Sequence, residues 1–289
     1  MPNLAPDRFP YTAPVNALNR LIELQGGGDD PVPPYNLSVA LGRVPGAGEV
    51  AKFGRNPDLD PGSVPEDIWS NGGGYTGHNV NSAQPVQVFS SSAADNGVSS
   101  PAGTGARTVV LEGLRLPTST AYETDTITLN GTTPVLASIN FYRINRAWVT
   151  TAGSNQANVG TITIRQSITT SNVLAIISPE IGQTQIAAFT VPDQTDFLIV
   201  AFEIQLVRAS GSAGSGTLAV QTREYLSGSW RTRRNYALSS GAPISDDLQV
   251  PLVVGPQHDI RLRCTQISDT NTIITGLFSG FLIARESGA

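Results

Sequence analysis

The sequence predicts an all-β protein: an antiparallel β-sandwich of jelly-roll type, with an extended proline-rich N-terminal arm carrying one short helix. Three observations predict it. Apolar residues alternate with polar ones at period two through the C-terminal two-thirds of the chain, as half-buried strands require. Gly, Ser, Asn and Pro punctuate these runs at the spacing of strand connections. Eleven of the 20 prolines fall within residues 1–65, where they remove backbone donors and fix φ. The expected organisation is an arm over 1–65, a turn-rich connecting segment over 66–106 and a sandwich over 107–289.

Within the arm, Val15, Leu18, Leu21 and Ile22 recur at helical spacing. Thr12 can cap, Pro14 suits a first turn, and Gly26-Gly27-Gly28 would end the helix. Such an arm buries little by itself, so it is expected to dock on its own domain or on a neighbouring subunit. Residues 66–106 hold Gly72-Gly73-Gly74, Ser90-Ser91-Ser92 and Pro101-Ala102-Gly103-Thr104-Gly105, with one short strand over 84–89. Thr161 to Arg165 alternates polar and apolar. Leu198, Val200, Phe202, Ile204 and Leu206 are expected to share a buried face, opposite Glu203, Gln205 and Val207. Ile260, Leu262 and Cys264 point one way, and Asp259, Arg261 and Arg263 the other. Thr126 to Val135, with Asn130-Gly131 at its centre, reads as a hairpin with positive φ at both turn positions. Further strands are expected near 107–112, 142–149, 172–177, 184–191, 217–225, 230–238, 248–254 and 276–285.

Composition removes several function classes. No apolar run nears the roughly 20 residues of a membrane helix, and the proline-rich start does not read as a signal peptide. The single cysteine, Cys264, forms no internal disulfide and no Cys-based zinc site, and its alternation with Ile260 and Leu262 makes it a small core hydrophobe. The net charge of −5 disfavours a binder of duplex phosphates. Charged residues are only 14%, and of 18 basic residues Lys52 alone is a lysine. Arginine suits packed and bidentate contacts better than lysine does, so this surface is expected to face other protein.

No catalytic constellation emerges. Gly46 to Ala51 matches a dinucleotide fingerprint in letters but lacks the strand before it and the βαβ context. The two histidines, His78 and His258, are isolated and read as ordinary loop residues. Asn56, Asp58 and Asp60, with Asp67 further on, space like calcium ligands, but Pro61 stands where the turn needs glycine, so no metal is assigned. Glu123 and Asp125 share a strand face without an aromatic sugar platform. Trp230 to Tyr236 mixes arginines with aromatics, yet alternation puts Trp230, Thr232 and Arg234 on one face and Arg231, Arg233 and Asn235 on the other. That splits the basic patch a single-stranded nucleic acid would need. No enzyme activity, cofactor or nucleic-acid partner is expected.

Several stretches together resemble a segment found in virion structural proteins of tailed bacteriophages. They are Lys52-Phe-Gly-Arg-Asn-Pro-Asp-Leu-Asp60, Pro65-Glu-Asp-Ile-Trp69, Gly72-Gly-Gly-Tyr75, Gly103 to Thr108, Thr128 to Val135, Arg146-Ala-Trp148 through Thr161, and His258 to Arg263. The resemblance spans roughly 41–285. It implies a non-enzymatic virion component on a jelly-roll-like domain, assembled in the bacterial host cytoplasm: a capsid decoration (cement) protein or, alternatively, a tail, neck or fibre component that binds host glycan. Under the first reading the partners are the major capsid protein and copies of the chain itself, as a homotrimer. The expected docking anchors are Leu18, Leu21, Ile22, Phe53, Ile68 and Trp69, with Arg55, Asp58 and Asp60 as polar clamps. Under the second, an exposed aromatic such as Tyr75 or Trp148 would meet the glycan.

Overall fold

The computed structural model describes residues 35–208, 214–225 and 227–285. The helix expected over Pro14 to Leu24 lies outside them, as do Leu18, Leu21 and Ile22. Besides a six-residue helix, α1 (Tyr35–Ala40), and a single 3-10 turn at Thr76–Asn79, the regular elements of the described chain are strands. In order they are β1 (Ala47–Leu59), β2 (Glu66–Asp67), β3 (Val86–Ser90), β4 (Ala106–Leu114), β5 (Glu123–Thr128), β6 (Val135–Leu136), β7 (Arg143–Ala152), β8 (Ile162–Gln166) and β9 (Val173–Ile177). They continue with β10 (Ala188–Thr190), β11 (Thr195–Arg208), β12 (Ser215–Arg223), β13 (Trp230–Ser239), β14 (Ile244–Val254), β15 (Asp259–Ile267) and β16 (Thr272–Ala284).

Eight of these strands form a nested hairpin. β1 pairs with β16, β10 with β15, β11 with β14 and β12 with β13, all antiparallel. The ribbon rolls up so that β16 also pairs with β11 and β15 with β12. The result is two four-stranded paths, β1-β16-β11-β14 and β10-β15-β12-β13, with β2 added beside β15. That order, first strand with last and inward from there, is the double Greek key of a jelly roll. Inward residues of both sheets share one core, including Phe197, Phe202 and Phe278 of one sheet with Phe189, Leu218 and Leu262 of the other. Burying each such side chain is worth about 1.5–3 kcal/mol.

The remaining strands make a second sandwich interposed between β2 and β10. Its sheets are β6-β3-β8-β9 and β5-β4-β7. Its core joins Val86, Val88, Ile162 and Ile164 to Val109, Leu111, Ile144 and Ala147. The chain leaves and re-enters the jelly roll at one place: Ser70 N–H donates to Gln185 O at 3.2 Å, and Ala187 N–H to Ile68 O at 2.9 Å. Neighbours Ile68 and Trp69 are both buried, Ile68 in the jelly-roll core and Trp69 in the core of the inserted lobe.

The all-β antiparallel class agrees with the sequence, but the expected boundaries do not match these packing units. The arm contains β1, which pairs with β16 over most of its length. Its buried positions before Leu59 are Lys52, Gly54 and Asn56 rather than apolar residues, so the alternation was hidden. Pro57 falls where the β1–β16 register shifts, between Asn56 and Leu59, on an edge strand that tolerates a missing donor.

Two bulges reverse expected faces. In β11 the register shifts between Ile199 and Ala201, so Phe197 and Ile199 are buried before Val200, and Phe202, Ile204 and Leu206 after it. Leu198 and Val200 therefore leave the expected face. In β12–β13 the shift skips Arg233. Thr232 lies opposite Gln221, while Arg234 lies opposite buried Val220, which separates Arg234 from the face of Trp230 and Thr232. The expected hairpin at 126–135 closes only as a tight turn, with Thr133 N–H donating to Asn130 O at 3.0 Å. Gly131 has φ of 59° and Asn130 has no positive φ. The flanking strands part company: β5 joins β4, and β6 joins β3.

Candidate functional site at the seam between the lobes

The two lobes meet through a buried charge network. Asp259 opens β15 and is 4% exposed. It was expected to face outward, yet it sits where Arg143 of β7, Arg223 of β12 and Thr190 of β10 converge. Arg143 donates from Nε and Nη2 to the two carboxylate oxygens, each at 3.3 Å. Arg223 Nε donates at 3.1 Å and the Thr190 hydroxyl at 2.5 Å. Burial alone would raise the Asp259 carboxyl; the charges of His78, Arg143 and Arg223 and the Thr190 hydrogen bond outweigh it and hold it well below the usual carboxylate range.

His78 sits beside this cluster, its ring 4.9 Å from Tyr75 and 5.3 Å from Trp230. Burial pushes its imidazole down to about 3, against the opposing pull of Asp259. Nearby, Arg261 and Arg263 of β15 hold Asp67 of β2 at 3.3 and 3.1 Å, and Tyr75 N–H donates to the same carboxylate at 2.6 Å. Trp230 is roofed by Arg261 and Arg223, at 3.9 and 4.8 Å from its ring centre. The void beside Tyr75, His78 and Arg143 is about 10 Å³, room for at most a water. This network fastens lobes together and has no space for a substrate.

A larger cleft of about 530 Å³ opens on another part of the seam. One wall is Ala51 to Phe53 of β1. The other is Arg146 to Val149 of β7, with residues 181–184 alongside. Val149 N–H donates to Gly182 O at 2.8 Å and Thr184 N–H to Ala147 O at 2.9 Å, so 181–184 extends that sheet. Arg146 lies over the Trp148 ring at 4.8 Å and is held by Glu112 at 2.9 and 3.1 Å. Lys52 is buried at the edge of this cleft. Its ammonium donates to the backbone carbonyl of Asn145, and burial pushes it down to about 7, with Glu112 opposing and Arg146 adding to the shift.

A third feature is the outer end of the jelly roll. Arg231, Thr232, Arg233, Arg234 and Asn235 are exposed on both faces of β13. On the neighbouring β14, Val250 is 78% exposed and Val253 53%. β13 and β14 are the end strands of their sheet paths.

Those of the expected docking residues that lie within the described chain do not form one surface. Phe53 is exposed and lines the cleft. Arg55 is half-buried on β1 and Asp58 is exposed beyond it. Asp60 accepts from Asn271 N–H at 2.8 Å, within its own domain. Ile68 and Trp69 are 1% exposed, so neither is an anchor for another molecule; they are needed in the two cores. Tyr75 is buried too and its hydroxyl donates to Ile144 O at 3.2 Å, which leaves Trp148 as the half-exposed aromatic of the pair. The Asn56 amide donates to Glu66 Oε2 and Asp67 O at 2.9 and 3.2 Å, so it is occupied within the fold. Among the described residues, no group of three or more His, Cys, Asp or Glu side chains is placed to hold a metal, and no helix is long and apolar enough to cross a membrane. Sequence reasoning missed Arg143, Arg223 and Asp259 because their partners lie far apart in the chain.

No family model matches the sequence, and no curated protein does. Solved structures of infectious bursal disease virus overlap the chain. The Gt strain structure has TM-score 0.22 and 7% identity, over 88% of this chain and 78% of that chain. The VP2 subviral particle has TM-score 0.21 and 9% identity, over 92% and 77%. TM-scores this low do not establish a shared fold; the jelly-roll assignment rests on the strand pairing.

Proposed function

We propose that this chain is a non-enzymatic structural protein of a tailed-bacteriophage virion, and that it decorates and stabilises the major capsid lattice. The observation that carries the reading is the outer end of the jelly roll. β13 is exposed on both faces while the core behind it is complete. Two valines of β14, the next strand in the chain and the end strand of the other sheet, also stand in solvent. Open edge strands of this kind invite pairing, and an arginine-rich, apolar edge suits a protein partner. The partner is the capsid lattice, with copies of this chain meeting around a symmetry axis as a trimer. The action is mechanical: added buried interface opposes the pressure of packaged DNA. The sequence resemblance supports the same reading.

Quantitative gels of purified particles test it. Copies in the hundreds per particle, matched to the capsid protein, are the expected result. A dozen or fewer would place the chain at the neck, tail or fibres.

The cleft favours a second reading, in which the chain is a tail or fibre component that binds host glycan. Trp148 and Phe53 offer apolar faces, and Gln183 and Thr184 offer polar groups beside them. Binding of the purified protein to a glycan array, abolished by Trp148→Ala, would establish it over decoration.

A further inference from the structure

The chain uses arginine at every basic position but one, and that one lysine is buried at the seam. Lys52 is 6% exposed. An arginine could supply charge and hydrogen bonds there, but its guanidinium is always protonated and cannot act as a nucleophile. Burial pushes the Lys52 ammonium down to about 7, so a large share is neutral amine at neutral pH.

The residue it meets is placed by a bulge. β4 and β7 pair Glu112 with Arg146 and then Gly113 with Ile144, skipping Asn145. A bulge of this kind frees one residue from the ladder and re-aims it. Gly113 permits it, since a β-carbon there would overlap the Arg143 carbonyl. The freed Asn145 carbonyl takes the Lys52 ammonium. The Asn145 side chain donates from Nδ2 to Glu112 Oε1 at 3.1 Å, while its Oδ1 is buried with no partner. A buried acceptor without a donor is uncommon and calls for an explanation. The Asn145 carboxamide thus touches the Glu112 carboxylate, which Arg146 also holds, and the Lys52 amine is fixed at the backbone carbonyl of the same Asn145.

We propose that Lys52 and Asn145 form an intramolecular isopeptide bond that joins the two lobes covalently, with Glu112 as the proton carrier. The neutral Nζ attacks Asn145 Cγ. A proton passes from Nζ to the Glu112 carboxylate and from there to Nδ2. The Cγ–Nδ2 bond breaks, ammonia leaves and an Nζ–Cγ amide remains, with no oxidant or cofactor required. Glu112 already holds Nδ2, the atom that must be protonated to leave, and the fixed neighbours supply the proximity such a reaction needs.

Intact-mass spectrometry of the denatured full chain, followed by tryptic mapping, tests this. The expected mass is that of the sequence less one ammonia. Cleavage after Lys52 should be lost, and a branched peptide should join residues 44–55 to residues 144–146. The full sequence mass with normal cleavage after Lys52 would overturn the proposal. So would ammonia loss confined to the Asn145 peptide, which is a cyclic imide. Lys52→Arg should restore the full mass, and Glu112→Gln should slow or abolish ammonia loss in folded protein. The wild-type mass decides the matter even if either variant fails to fold.

Discussion

At the residue scale, Asp259 and His78 make stability depend on pH in the same direction. The folded imidazole is held near 3 against an ordinary value of 6.5, so below 6.5 the unfolded chain takes up a proton that the folded chain refuses. Stability therefore falls as pH drops from 6.5 toward 3. The Asp259 carboxyl is depressed below its ordinary 3.8. Its contribution is complete above that value and is lost as pH falls through and below it. Thermal melts across this range should show a decline starting near pH 6.5, and His78→Phe should remove its upper part. Asp259→Asn at neutral pH leaves Arg143 and Arg223 buried without their counter-charge, which costs about 3–5 kcal/mol; chemical denaturation would measure it. None of this was legible in the sequence. The first residue of β15 carries an acid that alternation assigns to solvent, and Arg143 lies 116 positions away from it. A seam between two lobes buries outward faces, and no local pattern signals that.

At the scale of elements, legibility followed how far a strand kept strict alternation with apolar residues on its buried side. β8 and β15 did so, and their inward residues were identified correctly. β11 did so only beyond Val200, after the extra residue that exchanges the faces. β1 buries Lys52, Gly54 and Asn56, residues that pass for a loop unless the inserted lobe facing them is known. β13 and β14 are the opposite case, strands with little to bury at their outer ends. If their open edge is the docking surface, charge placed there should cost the free protein almost nothing. Val250→Glu and Val253→Glu should each change stability by within about 0.5 kcal/mol and remove the chain from particles in a co-sedimentation assay. Variants that melt normally and still decorate at full stoichiometry would move the docking surface elsewhere.

At the scale of the whole molecule, the jelly roll is a nested hairpin whose first connection carries another sandwich. Such an insertion is tolerated because the loop ends are held close and loop entropy grows slowly with length. Here residues 68 to 70 and 185 to 187 are hydrogen-bonded neighbours. The jelly-roll core, from Leu59 and Ile68 to Phe278, takes no buried member from β3 to β9. Replacing residues 71–184 with a short glycine-serine linker should therefore leave a domain that unfolds cooperatively, measured by calorimetry. It should melt below the intact chain. Trp69 loses its core, where removing such a ring costs about 3–5 kcal/mol, and Asp259 loses Arg143 while keeping Arg223. In the intact chain the same contacts should make both lobes melt in one transition, since Ile68 and Trp69 cannot leave their cores separately. Two resolved transitions would mean that the seam is too weak to couple the lobes. The shortened domain also separates the two functional readings. It keeps the β13–β14 edge and loses the β7 wall of the cleft, so it should still bind particles if the edge docks on the capsid. Glycan binding, by contrast, should vanish with Trp148.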